Sequence, residues 1–212
     1  MSTNRFSPRN DADVSDLVAR HPLAFVVSHG HDRVHSTLLP LRIERFDGDR
    51  IASLTGHIAR ANPQVAALQA DARATLLFRG PHGYVSPSWL SDRTQAPTWN
   101  YATANFAVRI EFLDDTASLD RIVRDLVDAM EAGRERAWSV DDMGARYSQL
   151  ATRIVAFRAT VLGVEAKFKL GQDERDDVYP EIVVGLRNEG GHEELATMMQ
   201  RFNAHREAGS SA

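Results

Sequence analysis

Short apolar runs separated by turn residues recur along most of this chain, and that rhythm limits it to a sheet of antiparallel strands. Leu23 to Ser28 reads as a buried strand, with His29-Gly30-His31-Asp32 as the turn that follows. Val34 to Ile43 returns, Asp47-Gly48-Asp49 turns again, and Arg50 to Thr55 makes a third strand. Ala74 to Phe78 is a fourth, Thr98 to Leu113 a long fifth and Ile154 to Leu170 a long sixth. The stretch from Gly80 to Pro97 carries Pro81, Gly83, Pro87 and Pro97, which predicts a long ordered loop. Apolar residues at helical spacing predict helices over Asp11 to Arg20, Thr116 to Ala132, Asp141 to Leu150 and Glu193 to Arg206. Another begins at Asn62-Pro63, where asparagine can cap and proline suits the first helical position. The expected fold is mainly β with peripheral helices, an α+β chain whose antiparallel strands suit a barrel better than a doubly wound sheet.

A chain of 212 residues can bury its core without disulfides, and this one has no cysteine. Thiol nucleophiles, iron–sulfur clusters and cysteine-ligated zinc are therefore excluded. No apolar run reaches the length of a membrane span, and Met1 to Asp13 lacks a secretory layout, so the expected compartment is the cytoplasm. The formal net charge is −4 and no basic block appears, which makes direct DNA binding doubtful because phosphate neutralisation needs a basic face. Among 25 basic residues only Lys167 and Lys169 are lysines. Their spacing puts both on one strand face, turned to a cleft or to solvent, with Ala166, Phe168 and Leu170 on the other. Guarding an exposed edge strand is the plainer explanation for such a pair.

The familiar nucleophile, metalloprotease and nucleotide-binding signatures are missing. His29, His31 and His35 invite a metal reading, but no closed ligand set accompanies them and a hairpin turn explains them better. The run Thr55-Gly56-His57-Ile58-Ala59-Arg60-Ala61-Asn62-Pro63 leaves a strand and enters a helix. Unpaired N–H groups at such a helix start, with Arg60 beside them, make a natural phosphate seat. Plain capping by Asn62 beside a surface arginine fits the same residues. Trp99, Asn100 and Tyr101 follow Pro97 at a strand start, where aromatics serve most often as core or interface anchors.

Several longer runs carry a resemblance. They are Gly56-His57-Ile58-Ala59-Arg60-Ala61-Asn62-Pro63-Gln64, Phe78-Arg79-Gly80-Pro81-His82-Gly83-Tyr84-Val85-Ser86-Pro87-Ser88-Trp89 and Pro97-Thr98-Trp99-Asn100-Tyr101. Ile154-Val155-Ala156-Phe157 and Lys167-Phe168-Lys169-Leu170-Gly171-Gln172 follow, and Thr37-Leu38-Leu39-Pro40-Leu41 stands where the family has T-H-L-P-L. In order, over about residues 20 to 175, the chain resembles the PaiB family of FMN-binding split-barrel proteins. The resemblance implies an antiparallel split β-barrel over residues 1–175, a helical extension over 176–212, a homodimer and FMN near the dimer interface. It further implies that Arg60 and the segment through Asn62 hold the FMN phosphate, with Thr37, His57 and Ala59 lining the site. Lys169 and Gln172 would approach the flavin, and Trp99 would be contributed by the partner subunit. Leu38 replaces the family's histidine, Gly171 and Asp173 depart from K-L-S-Q-N, and Ala156 from the second glycine of I-V-G-F.

A flavin-linked regulator or sensor is the function this resemblance implies. The alternatives are an FMN-dependent oxidoreductase acting on a small acceptor, or a haem-binding barrel with His57 or His82 as axial ligand, because one scaffold hosts many activities.

Overall fold

The computed structural model describes residues 5–30, 33–188 and 192–204. His31, the end of the expected terminal helix and the tail lie outside these residues. Seven strands form one sheet in the order β2-β1-β5-β6-β7-β4-β3. They are β1 Leu23–His29, β2 Val34–Pro40, β3 Arg42–Asp47, β4 Arg50–Ala59, β5 Arg73–Val85, β6 Thr98–Leu113 and β7 Ile154–Lys169. The pairs β1–β2, β1–β5, β3–β4 and β4–β7 are antiparallel. Helices α1 Asp11–Arg20, α2 Pro63–Ala70, α3 Thr116–Glu131, α4 Arg146–Ala151, α5 Tyr179–Asn188 and α6 Glu193–Phe202 complete the chain. This is the expected α+β class with an antiparallel sheet.

Three local expectations are corrected. The returning strand predicted over Val34 to Ile43 is two strands, broken after Pro40, which has no N–H to continue a ladder. The strand expected to stop at Phe78 runs on to Val85, through what read as loop. Its alternation slips where Gly80 and Pro81 are both buried, the kind of irregular position at which a strand tolerates proline. The helix predicted over Asp141 to Leu150 is a short 3-10 turn at Val140–Met143 followed by α4, with Gly144 between them at φ +52°. The extension expected to be helical from residue 176 holds a helix, α5, that periodicity did not single out. Pro180 sits in its first turn, where proline is tolerated, and Gly185 lies under Trp89, whose ring would come within 2.5 Å of any Cβ there.

Two compact units divide the chain: residues 18–78 with 105–165, and residues 1–17 with 79–104 and 166–212. In the first, Ala24, Val26, Leu54, Ile58, Leu76 and Phe157 are almost fully buried, and Phe78 meets Phe106 edge-on with ring centroids 5.5 Å apart. Its strands close tightly around Gly56. A Cβ there would stand 2.6 Å from Leu41 Cδ2 and 3.0 Å from Phe157 Cζ, both side chains fully buried. Glu44 on β3 ties the same unit together, accepting from Arg158 Nε at 2.7 Å, Arg158 Nη2 at 2.8 Å and Ser53 Oγ at 2.9 Å. In the second unit, Phe168 stacks on Phe202 at 5.7 Å, and the Arg9 guanidinium lies 4.6 Å above the Phe202 ring.

Two stability effects follow. Gly56→Ala is expected to cost about 1–3 kcal/mol, because rigid buried neighbours must shift to admit the methyl group; equilibrium urea unfolding measures it, and an unchanged midpoint would refute the tight contact. The Arg158 hydrogen bonds, opposed by burial and aided by Ser53, hold the Glu44 carboxyl below the usual glutamate range. A carboxyl so depressed contributes stability that is present above its unfolded pKa and fades as pH falls through the folded one. Glu44→Gln should therefore destabilise by about 1 kcal/mol at neutral pH and by less in acid, where unfolding curves of the two proteins converge.

Candidate functional site

Strand β4 runs four residues beyond the predicted Thr55, so His57 and Ala59 stand on one strand face and share it with Thr55. The chain then turns sharply, with Asn62 N–H donating to the Ala59 carbonyl at 2.9 Å and Arg60 N–H donating to Arg153 O at 2.9 Å. The Asn62 side chain does two jobs at the head of α2. Its Oδ1 accepts from Gln64 N–H at 2.9 Å, while its Nδ2 donates to Thr37 Oγ1 on β2 at 3.0 Å. Gln64, which sequence reasoning passed over, is 1% exposed and donates from Nε2 to Val26 O at 2.9 Å and Ser28 Oγ at 3.0 Å. Its only sequence signal was a polar residue beside the capping pair. The helix head is thus anchored on both β1 and β2, and Thr37 and Asn62 are brought into contact as one polar pair.

This geometry changes the account of an anion at the helix start. Pro63 has no N–H, Gln64 N–H is capped, and Val65 N–H bonds Asn62 O at 2.9 Å. The backbone donors expected to receive a phosphate are largely spent within the turn, so the charge of Arg60 is what remains to attract one. Among the described residues its guanidinium meets only Asp114, at 3.4 Å, with both side chains exposed. Such a pair is worth little in water and is easily exchanged for a better anion. Beside the turn, His57 has a buried Nδ1 with no hydrogen-bond partner among the described residues. Burial pushes its pKa below the ordinary histidine value, so the ring is held neutral and offers one donor and one acceptor.

In the other unit, Lys169 Nζ donates to Thr98 Oγ1 and, at 3.2 Å, to the Trp99 carbonyl. Lys167 Nζ lies 5.6 Å from the Phe6 ring centroid and 5.7 Å from that of Tyr101. Strand β7 pairs with β4 over Ile154 to Thr160, short of both lysines, and between them Phe168 N–H donates to the Phe6 carbonyl at 2.8 Å, so the N-terminal segment covers part of this stretch of the strand. Trp99 is 54% exposed, lies near-parallel to His82 at 6.3 Å and tilts against Tyr84 at 6.0 Å. His82 and Tyr84 come from the stretch read as loop, so their alignment with Trp99 was invisible until β5 was seen to continue. Gln172, in the turn after β7, folds back on the end of that strand, accepting from Leu170 N–H at 2.7 Å and donating to Phe168 O at 2.5 Å. Leu38, where the family pattern has histidine, alternates away from Thr37 and is 46% exposed opposite Phe25. His29 and His35 pair with Val34 and Ser28 across a hairpin, and no group of three metal-ligating residues occurs among the described residues. No helix among the described residues is long and apolar enough to cross a membrane.

Comparison with known proteins places this geometry. Residues 2–162 match the family model described as "Putative FMN-binding domain". The chain is 26% identical over 185 residues to the protease synthase and sporulation protein PAI 2 of Bacillus subtilis, covering 87% of each chain. It is 32% identical over 158 residues to an uncharacterised protein of Aspergillus fumigatus, covering 57% of this chain and 60% of that one. Among solved structures, an FAD and haem binding protein of Mycobacterium smegmatis superposes with a TM-score of 0.58 at 17% identity, over 84% of this chain and 79% of its own. A flavocytochrome of Azotobacter vinelandii gives 0.57 at 16% identity, over 76% and 68%. These structures show that the fold is shared, and it is the split barrel of flavin-binding proteins. With a family match through most of its length and a relative aligned over 87% of both chains, the protein belongs to the PaiB-type family of FMN-binding-domain proteins.

Proposed function

We propose that this protein is a flavin-linked regulator or sensor that works as a homodimer and holds FMN by its phosphate at Arg60. The observation that carries the reading is the β4–α2 turn. Among the described residues, a permanently charged guanidinium stands there with only an exposed 3.4 Å partner, next to a neutral imidazole whose buried Nδ1 lacks one. Arginine can grip two phosphate oxygens at once and keeps its charge at any working pH. The Thr37–Asn62 pair fixes the turn that presents it, and Ala59 leaves room beside it. The description of the matching family model supports the choice of FMN, and the regulatory role comes from the PaiB resemblance. The family resemblance also assigns flavin contacts to Lys169 and Gln172 and, from the partner subunit, to Trp99. The net charge of −4 and the lack of a recognition motif favour regulation through a bound partner or the state of the flavin over direct DNA contact.

Reversing the charge at Arg60 separates phosphate recognition from ring recognition. Arg60→Glu should weaken FMN by roughly tenfold to a hundredfold, about 1.4 kcal/mol per decade, and leave riboflavin nearly unaffected because it has no phosphate. Fluorescence titration of both ligands against both proteins measures the difference. Equal losses for FMN and riboflavin would remove Arg60 from the phosphate site.

A further inference from the structure

Helix α5 has a hollow beside its contact with Trp89. The ring belongs to a short 3-10 turn, Pro87–Trp89, and reaches the helix because Gly185 has no Cβ to meet it. Next to that contact lies a cavity of about 500 Å³, within the range of small-molecule sites. Ser88 and Trp89 line one side. The other is a stripe of α5, with Pro180, Val184 and Asn188 at four-residue steps and Glu181 beside them. Val184 is 54% exposed, on a helix whose Ile182, Val183 and Leu186 are buried. Glu181 brings the one charge of the lining. Ser91 holds its carboxylate in place, donating from Oγ at 2.5 Å and from N–H at 2.7 Å, and these bonds keep it below the usual glutamate range. Among the described residues no cationic side chain pairs with it. Asp92 and Asp177 add negative charge nearby and share Arg175, which stands 2.8 Å from Asp92. Arg187, further along α5, is taken up by Glu193 and Gln200, and Arg93 is exposed on the loop after Ser91. Even with Arg175 and Arg93 set against Asp92, Asp177 and Glu181, the surroundings stay negative.

We propose that this cavity binds a small organic cation, an alkylated ammonium whose charge is met by the Trp89 ring and the Glu181 carboxylate and whose apolar body rests on Pro180 and Val184. An aromatic face attracts a cation through its quadrupole, most strongly when the ring is tryptophan. The apolar wall suits the alkyl groups around such a charge. A hard metal ion needs several oxygen ligands, and no group of three metal-ligating side chains occurs among the described residues. An anion would face Glu181 and its acidic neighbours. Glu181 also stands in the first turn of α5, where an acid offsets the helix dipole. That role accounts for a carboxylate at this position, but not for a cavity against a tryptophan ring beside it. The site shares no residue with the flavin site proposed above, so the two readings stand or fall separately.

Heteronuclear NMR of the full chain tests the site, because its three tryptophans give separate indole N–H signals. Choline is the probe, and neohexyl alcohol, its neutral carbon isostere, is the control. Choline should shift the Trp89 signal saturably and leave those of Trp99 and Trp138 in place. Neohexyl alcohol should bind at least about tenfold more weakly, since it matches the shape without the charge. Glu181→Gln should weaken choline by about the same factor and leave the alcohol unaffected. Ser91→Ala, which removes one tether of the carboxylate and keeps its charge, should preserve the preference for choline. The absence of a saturable shift at Trp89, or equal affinities of wild type for the two probes, overturns the proposal without any variant. A Glu181→Gln protein that still prefers choline to the alcohol overturns it as well, and if that variant does not fold, the wild-type comparison decides alone.

Discussion

Two carboxamides, those of Asn62 and Gln64, hold the head of α2 against the first hairpin, and the placement of the candidate site depends on them. A short helix after a strand has no reason of its own to sit at a fixed height above a neighbouring hairpin. Here Asn62 spends one end of its amide on the helix cap and the other on Thr37, and Gln64 reaches the carbonyl of Val26 and the hydroxyl of Ser28. The Gln64 amide is buried, so its donors must be satisfied and its partners are dictated. Arg60 and His57 lie on the chain that leads into this anchor, and their positions follow from it.

The same anchor explains why the site is an arginine site and less a helix-dipole site. The backbone N–H groups that open a helix attract anions when they are free. In this turn they are capped, bonded to Asn62 O or absent at Pro63. What the turn offers an anion is a side-chain charge on a rigid base. Rigidity matters because a phosphate held by one arginine gains little if the arginine must first be ordered. Below the turn, Gly56 lets β4 lie close against Leu41 and Phe157, so the strand that carries His57 is set in a tightly packed core.

Much of the fold was legible because periodicity and capping are local. Helix α1 and strand β6 have the bounds their patterns predict, and the Asn62-Pro63 start of α2 is where the cap chemistry put it. The misreadings at prolines and glycines went both ways. Pro40 ends a strand that read as continuous, whereas Pro81 and Gly83, read as loop punctuation, lie within β5 at a slip in its pleat.

The candidate site divides along the same line. Charge type and helix-start chemistry singled out Arg60, Asn62 and the pair of lysines, which are chemical choices written in the chain, while Thr37, His57, Ala59, Trp99 and Gln172 were named by the family resemblance. Which of those groups are free was decided by tertiary structure. Hydrogen-bond partners come from residues far away in sequence or from a chain that doubles back. Gln172 is occupied by the end of β7, Lys169 by Thr98 and Trp99, and Asn62 by Thr37, whereas His57 Nδ1 has no partner among the described residues and Arg60 only a long, exposed one. A sequence determines what each side chain can donate or accept; only packing determines what is already within reach of it, and so what is left for a ligand.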